Sequence, residues 1–140
     1  MLEPSLFGGT YALTTDEQIW VAAGTYLPTK DIIGNAAPAD PRDKTFFLDE
    51  DLLFYGGFNG TETLLSQRNF ITNVTILSGD LGSPGDLDNA FHVLYFDHRS
   101  AAMLLDGFTV RDGNAEPLNG GGNRRWAFCQ KIRWSDWKDK

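Results

Sequence analysis

Short apolar runs that end at or enclose a glycine recur along this chain, and they constrain its fold more than any other feature. Four such runs span residues 19–24, 52–58, 74–79 and 103–110, and two further runs, 45–48 and 91–96, are rich in aromatic or β-branched residues. Each run is short and is bounded by Gly, Asp, Asn or Pro. Runs of this length and punctuation are typical of β-strands rather than helices.

The marker glycines Gly24, Gly56, Gly79 and Gly107 follow one another at intervals of about 23 to 32 residues, which indicates a repeated structural unit. No stretch shows the 3.6-residue period of a helix of ten or more residues. Two all-β architectures remain open: an antiparallel sandwich built from hairpins, and a coil whose successive turns stack as parallel strands.

The placement of Asp106-Gly107 favours the coil. This pair lies inside the run 103–110, between halves of only a few residues, whereas a hairpin turn joins two full strands. The position of Asp106-Gly107 fits a corner of a coil better than a hairpin turn, because glycine tolerates the positive φ that a bend can need. We expect the inward column of such a coil to contain Ile19, Val21, Leu53, Tyr55, Ile76 and Leu105.

Several segments carry a family resemblance in the same order along the chain: residues 17–29, EQIWVAAGTYLPT; 53–63, LFYGGFNGTET; then 67–69, 75–80, 88–93 and 105–110. They resemble the N-terminal region of bacterial secreted proteins with a pectin-lyase-like, right-handed parallel β-helix, related to the polymorphic outer-membrane protein repeat family. The resemblance covers about residues 16–122. It implies an all-β parallel β-helix and an extracellular or outer-membrane location for the parent protein, and it specifies activity less than fold.

Three segments are expected: an irregular lead-in over residues 1–15, β-helix turns over 16–122, and a tail over 123–140. Family members begin with a signal peptide and an amphipathic segment, neither of which residues 1–15 show, and the glycine-rich corner 119–122 is not followed by another strand. The tail holds half of the 12 basic residues and three of the four Trp. We expect a truncated β-helix whose tail is either a non-native terminus or a docking segment that folds back on the acidic body.

Charge restricts the class of partner. The net charge of -7 and the pI near 4.6 disfavour nucleic acid and anionic membranes, because the average field repels phosphate. Cations and neutral polymers fit better. No stretch approaches 18 consecutive apolar residues, so no membrane-spanning helix is expected. Cys129 is the only cysteine, so no intrachain disulfide can form.

Clustered oxygen donors suggest one cofactor, calcium. Asp80, Asp86, Asp88 and Asn89 lie in the glycine-rich segment 79–89, and calcium takes six to eight oxygen ligands, some of them from water. The spacing is not that of an EF-hand, which needs a following glycine and a distal Glu. The same residues are more often turn formers that bond their own backbone, and this is the favoured interpretation: no cofactor is expected, and calcium is the alternative.

No catalytic set is recognised. His92 and His98 are the only histidines, and the chain lacks the Gly-x-Ser-x-Gly elbow. Trp20, Tyr26 and Phe54 are candidates to stack on sugar rings, although strand aromatics more often pack in a core.

The leading hypothesis is a non-enzymatic surface module, structural or adhesive, whose partners are polysaccharides or host or cell-surface components. The alternatives are a polysaccharide-binding or lyase-like domain with calcium in the 79–89 segment, and a fragment without independent function. Uncapped ends of a short β-helix would also favour self-association.

Overall fold

The computed structural model describes residues 18–48, 53–83, 85, 87–96 and 104–115. The predicted lead-in 1–15 and the predicted tail 123–140 lie outside these residues. Asp86, His98 and Cys129 lie outside them as well.

Eight short strands make up most of the regular structure, which confirms the all-β prediction. They are β1 (Gln18–Ala22), β2 (Gly24–Tyr26), β3 (Phe46–Leu48), β4 (Leu53–Phe58), β5 (Thr75–Ser78), β6 (Leu94–Phe96), β7 (Leu104–Asp106) and β8 (Phe108–Arg111). In the part of the chain that the structure describes, two 3-10 helices, Pro41–Asp43 and Leu65–Gln67, lie in the connections between strands.

The strands enter three parallel sheets in rotation. The first sheet has the order β1-β4-β7, the second β2-β5-β8 and the third β3-β6, and every pairing among these strands is parallel. We call β1 to β3, β4 to β6, and β7 with β8 the first, second and third rounds of the chain. Parallel pairing of successive rounds contradicts an antiparallel sandwich for the described residues and is consistent with a β-helix-like arrangement.

The core lies between the three sheets. It contains Val21, Tyr26, Phe46, Leu48, Phe54, Leu77, Val93, Phe108 and Val110, with Ile19, Leu94 and Leu105 packed against it. Register explains this set: Ile19, Phe54 and Leu105 form one inward row of the first sheet, and Tyr26, Leu77 and Val110 form one of the second. Burying each such side chain stabilises the fold by about 1.5 to 3 kcal/mol.

The expected inward column is right in the outer rounds and wrong in the second. Ile19, Val21 and Leu105 face the core, but Leu53, Tyr55 and Ile76 do not, since their neighbours Phe54 and Leu77 are the buried residues. Side chains alternate between faces, so an error of one residue reverses the whole strand. The runs 52–58 and 74–79 are apolar on both faces, and Thr75, a polar residue, is fully buried. The pattern of apolar residues therefore could not predict which face of β4 and β5 points into the core.

The first corner joins the first sheet to the second, and there the backbones of adjacent rounds touch. A Cβ on Gly56 would lie 2.6 Å from the carbonyl oxygen of Gly107, and one on Gly107 would lie 2.8 Å from that of Gly56. Thr75 Oγ1 accepts a hydrogen bond from Gly57 N at 3.0 Å and donates to the carbonyl of Ala22 at 3.2 Å. The corner predicted at Asp106-Gly107 is confirmed, with a φ of 81° at Gly107.

The spacing of the marker glycines does not equal the length of one round of the chain. Gly24, Gly56 and Gly107 lie at the first corner, but Gly79 follows β5 and lies at the second corner, which leads to the third sheet. Loop length also varies between rounds: Ala23 alone turns the first corner in the first round, whereas residues 59–74 do so in the second. Because the loops differ in length, the number of residues per round is not constant and the sequence shows no exact period.

Gly107 and Gly34 form a matched pair for testing the corner. Their φ angles are 81° and 82°, but a Cβ on Gly34 meets nothing within 4 Å. Gly34→Ala should lower the free energy of unfolding by about 1 kcal/mol, the cost of the left-handed conformation. Gly107→Ala adds the backbone clash and should cost at least about 3 kcal/mol. Chemical denaturation measures both, and equal losses would contradict the backbone contact.

Candidate functional site

The connection from β5 to β6, residues 79–93, contains the segment predicted to bind calcium. Asp80 Oδ1 accepts a hydrogen bond from Gly82 N at 3.0 Å, and Asp88 Oδ2 accepts one from Ser83 N at 2.6 Å. Both are local bonds of the turn-forming kind. Asp86 lies outside the described residues.

Two side-chain oxygens of this segment take part in no local hydrogen bond of this kind. Oδ1 of Asp88 and Oδ1 of Asn89 are buried and accept no hydrogen bond within the described residues. A buried acceptor without a donor costs about 1 to 3 kcal/mol. The described residues hold no group of three or more His, Cys, Asp or Glu side chains that could bind a metal ion. Calcium binding therefore remains a prediction.

Arg42 holds the end of this segment in place, a role that the sequence analysis did not predict. Arg42 is 4% exposed; its Nε donates to the carbonyl of Asn89 at 2.8 Å and its Nη2 to that of Asn114 at 2.6 Å. Its guanidinium lies 4.1 Å from the centroid of the Phe91 ring. The arginine thus joins connections of three rounds. An isolated arginine after a proline is expected at the surface, so these buried contacts of Arg42 become visible only in the folded structure.

A second arginine fastens residues 59–74 to the outer face of the first sheet. Trp20, Tyr55 and Asp106 form an outward row there. Arg68 pairs with the Asp106 carboxylate, donates to the carbonyls of Gly56 and Asp106, and lies 5.0 Å from the centroid of the Tyr55 ring. This loop is therefore attached to both the second and the third round.

The three aromatic residues predicted to stack on sugar rings lie in different environments. Tyr26 and Phe54 are core residues, so the prediction is wrong for them, and Trp20 stacks on Phe58 with ring centroids 4.7 Å apart. A pair that the sequence did not single out lies on the outer face of the third sheet: Phe47 and Tyr95 are in register, with centroids 5.7 Å apart, and Tyr95 is 44% exposed. The alternation of side chains along β3 could have predicted the outward position of Phe47, because it lies between two buried residues.

Ser78 and Asp112 are close but serve the fold. Ser78 Oγ donates to Asp112 Oδ2 at 2.6 Å and accepts from Asp80 N at 3.2 Å, and Ser78 is 1% exposed. Asp112 Oδ2 also pairs with Arg111 Nε at 3.0 Å. A serine so enclosed is not presented to a substrate, and the contact ties β5 to the end of β8.

Glu62 closes the start of the loop 59–74. Its carboxylate accepts hydrogen bonds from the backbone N–H groups of Asn59 at 2.8 Å, Gly60 at 3.0 Å and Thr61 at 3.1 Å. Desolvation raises the pKa of Glu62, but the hydrogen bonds from Asn59, Glu62, Gly60 and Thr61 outweigh it, so that the pKa is lowered overall. The folded loop therefore favours the ionised form.

This closure should depend on pH. Because the pKa of Glu62 is lower in the folded loop than its ordinary value of 4.5, the stabilisation is present above that value and is lost as pH falls through the folded pKa. The amide proton resonances of Gly60 and Thr61 should titrate together with a midpoint below 4.5. In Glu62→Gln that titration should vanish, and its persistence there would contradict the assignment.

Comparison of the chain with protein-family models, curated proteins and solved structures finds no match. Among the described residues, no helix is long and apolar enough to cross a membrane.

Proposed function

We propose that this chain forms a right-handed parallel β-helix of the pectin-lyase-like kind and serves as a rigid, non-enzymatic module, structural or adhesive, of a secreted or cell-surface protein. The observation that carries the proposal is the rotation of strands through three parallel sheets, with one apolar column between them. A coil of this kind presents three outer faces along one axis and leaves its interior filled.

Rigidity is supported by side-chain ties between adjacent rounds. Arg42, Arg68 and the Ser78–Asp112 pair each connect two or more rounds, and Thr75 joins the first round to the second at the first corner. Each tie has to break before a round can separate from its neighbour. A stalk or a binding surface under load benefits from this resistance.

An adhesive role is supported by the outer face of the third sheet. Phe47 and Tyr95 provide adjacent rings there, and Tyr95 adds a hydroxyl group, which together suit a ligand that combines apolar faces with hydroxyl groups. The net charge of -7 disfavours polyanions. Neutral or amino polysaccharides are therefore the proposed ligands.

Binding to immobilised polysaccharides tests this function. The chain should be retained on neutral or amino polymers without cleaving them, and Tyr95→Ala should weaken retention about tenfold, the effect of losing one good contact of about 1.4 kcal/mol. Thr25→Ala, an exposed position on the outer face of the second sheet, is the matched control and should change nothing. A parallel assay on an acidic, uronate-containing polysaccharide tests the alternative enzymatic function: release of unsaturated products, followed by their ultraviolet absorbance, would establish lyase turnover instead.

The second candidate, a calcium-dependent polysaccharide-binding or lyase-like domain, is favoured by the two buried oxygens of Asp88 and Asn89. Calorimetric titration of the chain with calcium should then show binding at about millimolar or lower concentration, the range of extracellular calcium modules. Asp88→Asn should weaken it, whereas Asp31→Asn, in the connection between β2 and β3, should not. The absence of heat at millimolar calcium would remove this candidate.

A further inference from the structure

We propose that Asn59 is a self-modification site, at which the backbone nitrogen of Gly60 attacks the side-chain amide and converts asparagine to aspartate or isoaspartate. Two neighbouring residues, Thr61 and Glu62, assist the attack. Solvent water is consumed and ammonia is released. This inference concerns the turn at the start of the loop 59–74 and does not rest on the proposed polysaccharide binding.

The two groups that react are adjacent in the sequence. Attack of Gly60 N on Cγ of Asn59 closes a five-membered ring, so the nucleophile and the electrophile need not diffuse together. Gly60 has no side chain to shield its nitrogen, and its φ is 102°. Both residues are exposed, so water reaches the site and ammonia can leave it.

The side-chain carbonyl of Asn59 is polarised by two donors that belong to one residue. Thr61 donates to Asn59 Oδ1 from its backbone N at 2.9 Å and from its Oγ1 at 2.7 Å. Donors at such distances stabilise the negative charge that develops on a carbonyl oxygen when a nucleophile adds to its carbon. The arrangement therefore favours addition at Cγ.

The proton of the attacking nitrogen lies on a hydrogen bond to a base. Gly60 N donates to Glu62 Oε2 at 3.0 Å, which is within the reach of a general base. Desolvation raises the pKa of Glu62, but backbone hydrogen bonds lower it overall, so the carboxylate is ionised at neutral pH. It can therefore accept the proton as the new bond forms.

The reaction balances in two steps. In the first, the bond from Gly60 N to Asn59 Cγ forms and the N–H proton passes to Glu62, while Thr61 stabilises the charge on Oδ1. The carbonyl then re-forms, the Cγ–Nδ2 bond breaks, and Nδ2 leaves as ammonia with the proton from Glu62. In the second step, water opens the resulting succinimide ring at either carbonyl and leaves aspartate or isoaspartate at position 59.

The product should open the turn. The new carboxylate at position 59 lies close to that of Glu62, and like charges so placed repel each other. Isoaspartate also lengthens the backbone by a methylene group, which displaces the N–H groups that Glu62 now accepts. The modification is irreversible, so it acts as a timer on the closure of the loop 59–74.

Peptide mass spectrometry of the full chain, incubated at neutral pH, measures the rate of modification at position 59. Thr61→Val removes one donor to Oδ1 and should slow the reaction about tenfold, the effect of losing one hydrogen bond. Thr61→Ser keeps the hydroxyl and should retain the rate. Glu62→Gln removes the base and should slow the reaction at least as much as Thr61→Val.

Two controls come from the same chain. Thr72→Val replaces an exposed threonine elsewhere in the loop and should leave the rate at position 59 unchanged. The second Asn-Gly pair, Asn119-Gly120, is an internal reference, since its rate should be the same in every variant. In urea that unfolds the chain, all variants should react alike at position 59 and more slowly than the folded, unsubstituted chain.

The proposal is overturned if the folded chain reacts at position 59 no faster than the unfolded chain. It is equally overturned if Thr61→Val or Glu62→Gln reacts as fast as the unsubstituted chain or faster, because the hydrogen bonds would then protect Asn59. Circular dichroism checks folding, and the two Thr61 variants decide the matter if Glu62→Gln does not fold. An unchanged rate in Tyr95→Ala separates this inference from the proposed function.

Discussion

The close approach of adjacent backbones at the first corner is the constraint on which the remaining structure depends. A Cβ on Gly56 would lie only 2.6 Å from the carbonyl oxygen of Gly107, and one on Gly107 only 2.8 Å from that of Gly56. Thr75 Oγ1 accepts a hydrogen bond from Gly57 N and donates one to the carbonyl of Ala22 beside them. Gly56 and Gly107 directly follow the paired residues Tyr55 and Asp106, so the contact continues the register of β7 on β4. Because register decides which side chains face inward, the core of Phe54, Leu77 and Val110 follows from it.

Hydrogen bonds and ion pairs between side chains of different rounds depend on the same register and hold the connecting loops in place. Arg42 reaches the carbonyls of Asn89 and Asn114 only because the rounds stack, and it thereby fixes the segment that contains Asp88. Arg68 holds the loop 59–74 in the same manner, through Asp106 of the third round. Buried or half-buried arginines that bond to carbonyls and aromatic rings satisfy donors that would otherwise be costly to bury.

The outer surfaces of the described residues differ in character. The third sheet displays the aromatic pair Phe47 and Tyr95, while the loop 59–74 displays the apolar side chains of Ile71 and Leu64. A filled interior leaves recognition to such outer surfaces. The proposed module thus combines a rigid axis with binding on its faces.

The sequence by itself determined the all-β character, the strand positions to within a few residues and the corner at Asp106-Gly107, because these depend on local preferences. It located Asp80, Asp88 and Asn89 in one connection, but not the two oxygens that are buried there. Tertiary structure alone decided the inward faces of β4 and β5, since both strands are apolar on both sides and Thr75 takes a core position. It also decided the partners of Arg42 and Arg68 and the pairing of Phe47 with Tyr95. These contacts join residues far apart in sequence across loops of unequal length, and no local preference records which residues the stacking of rounds brings together.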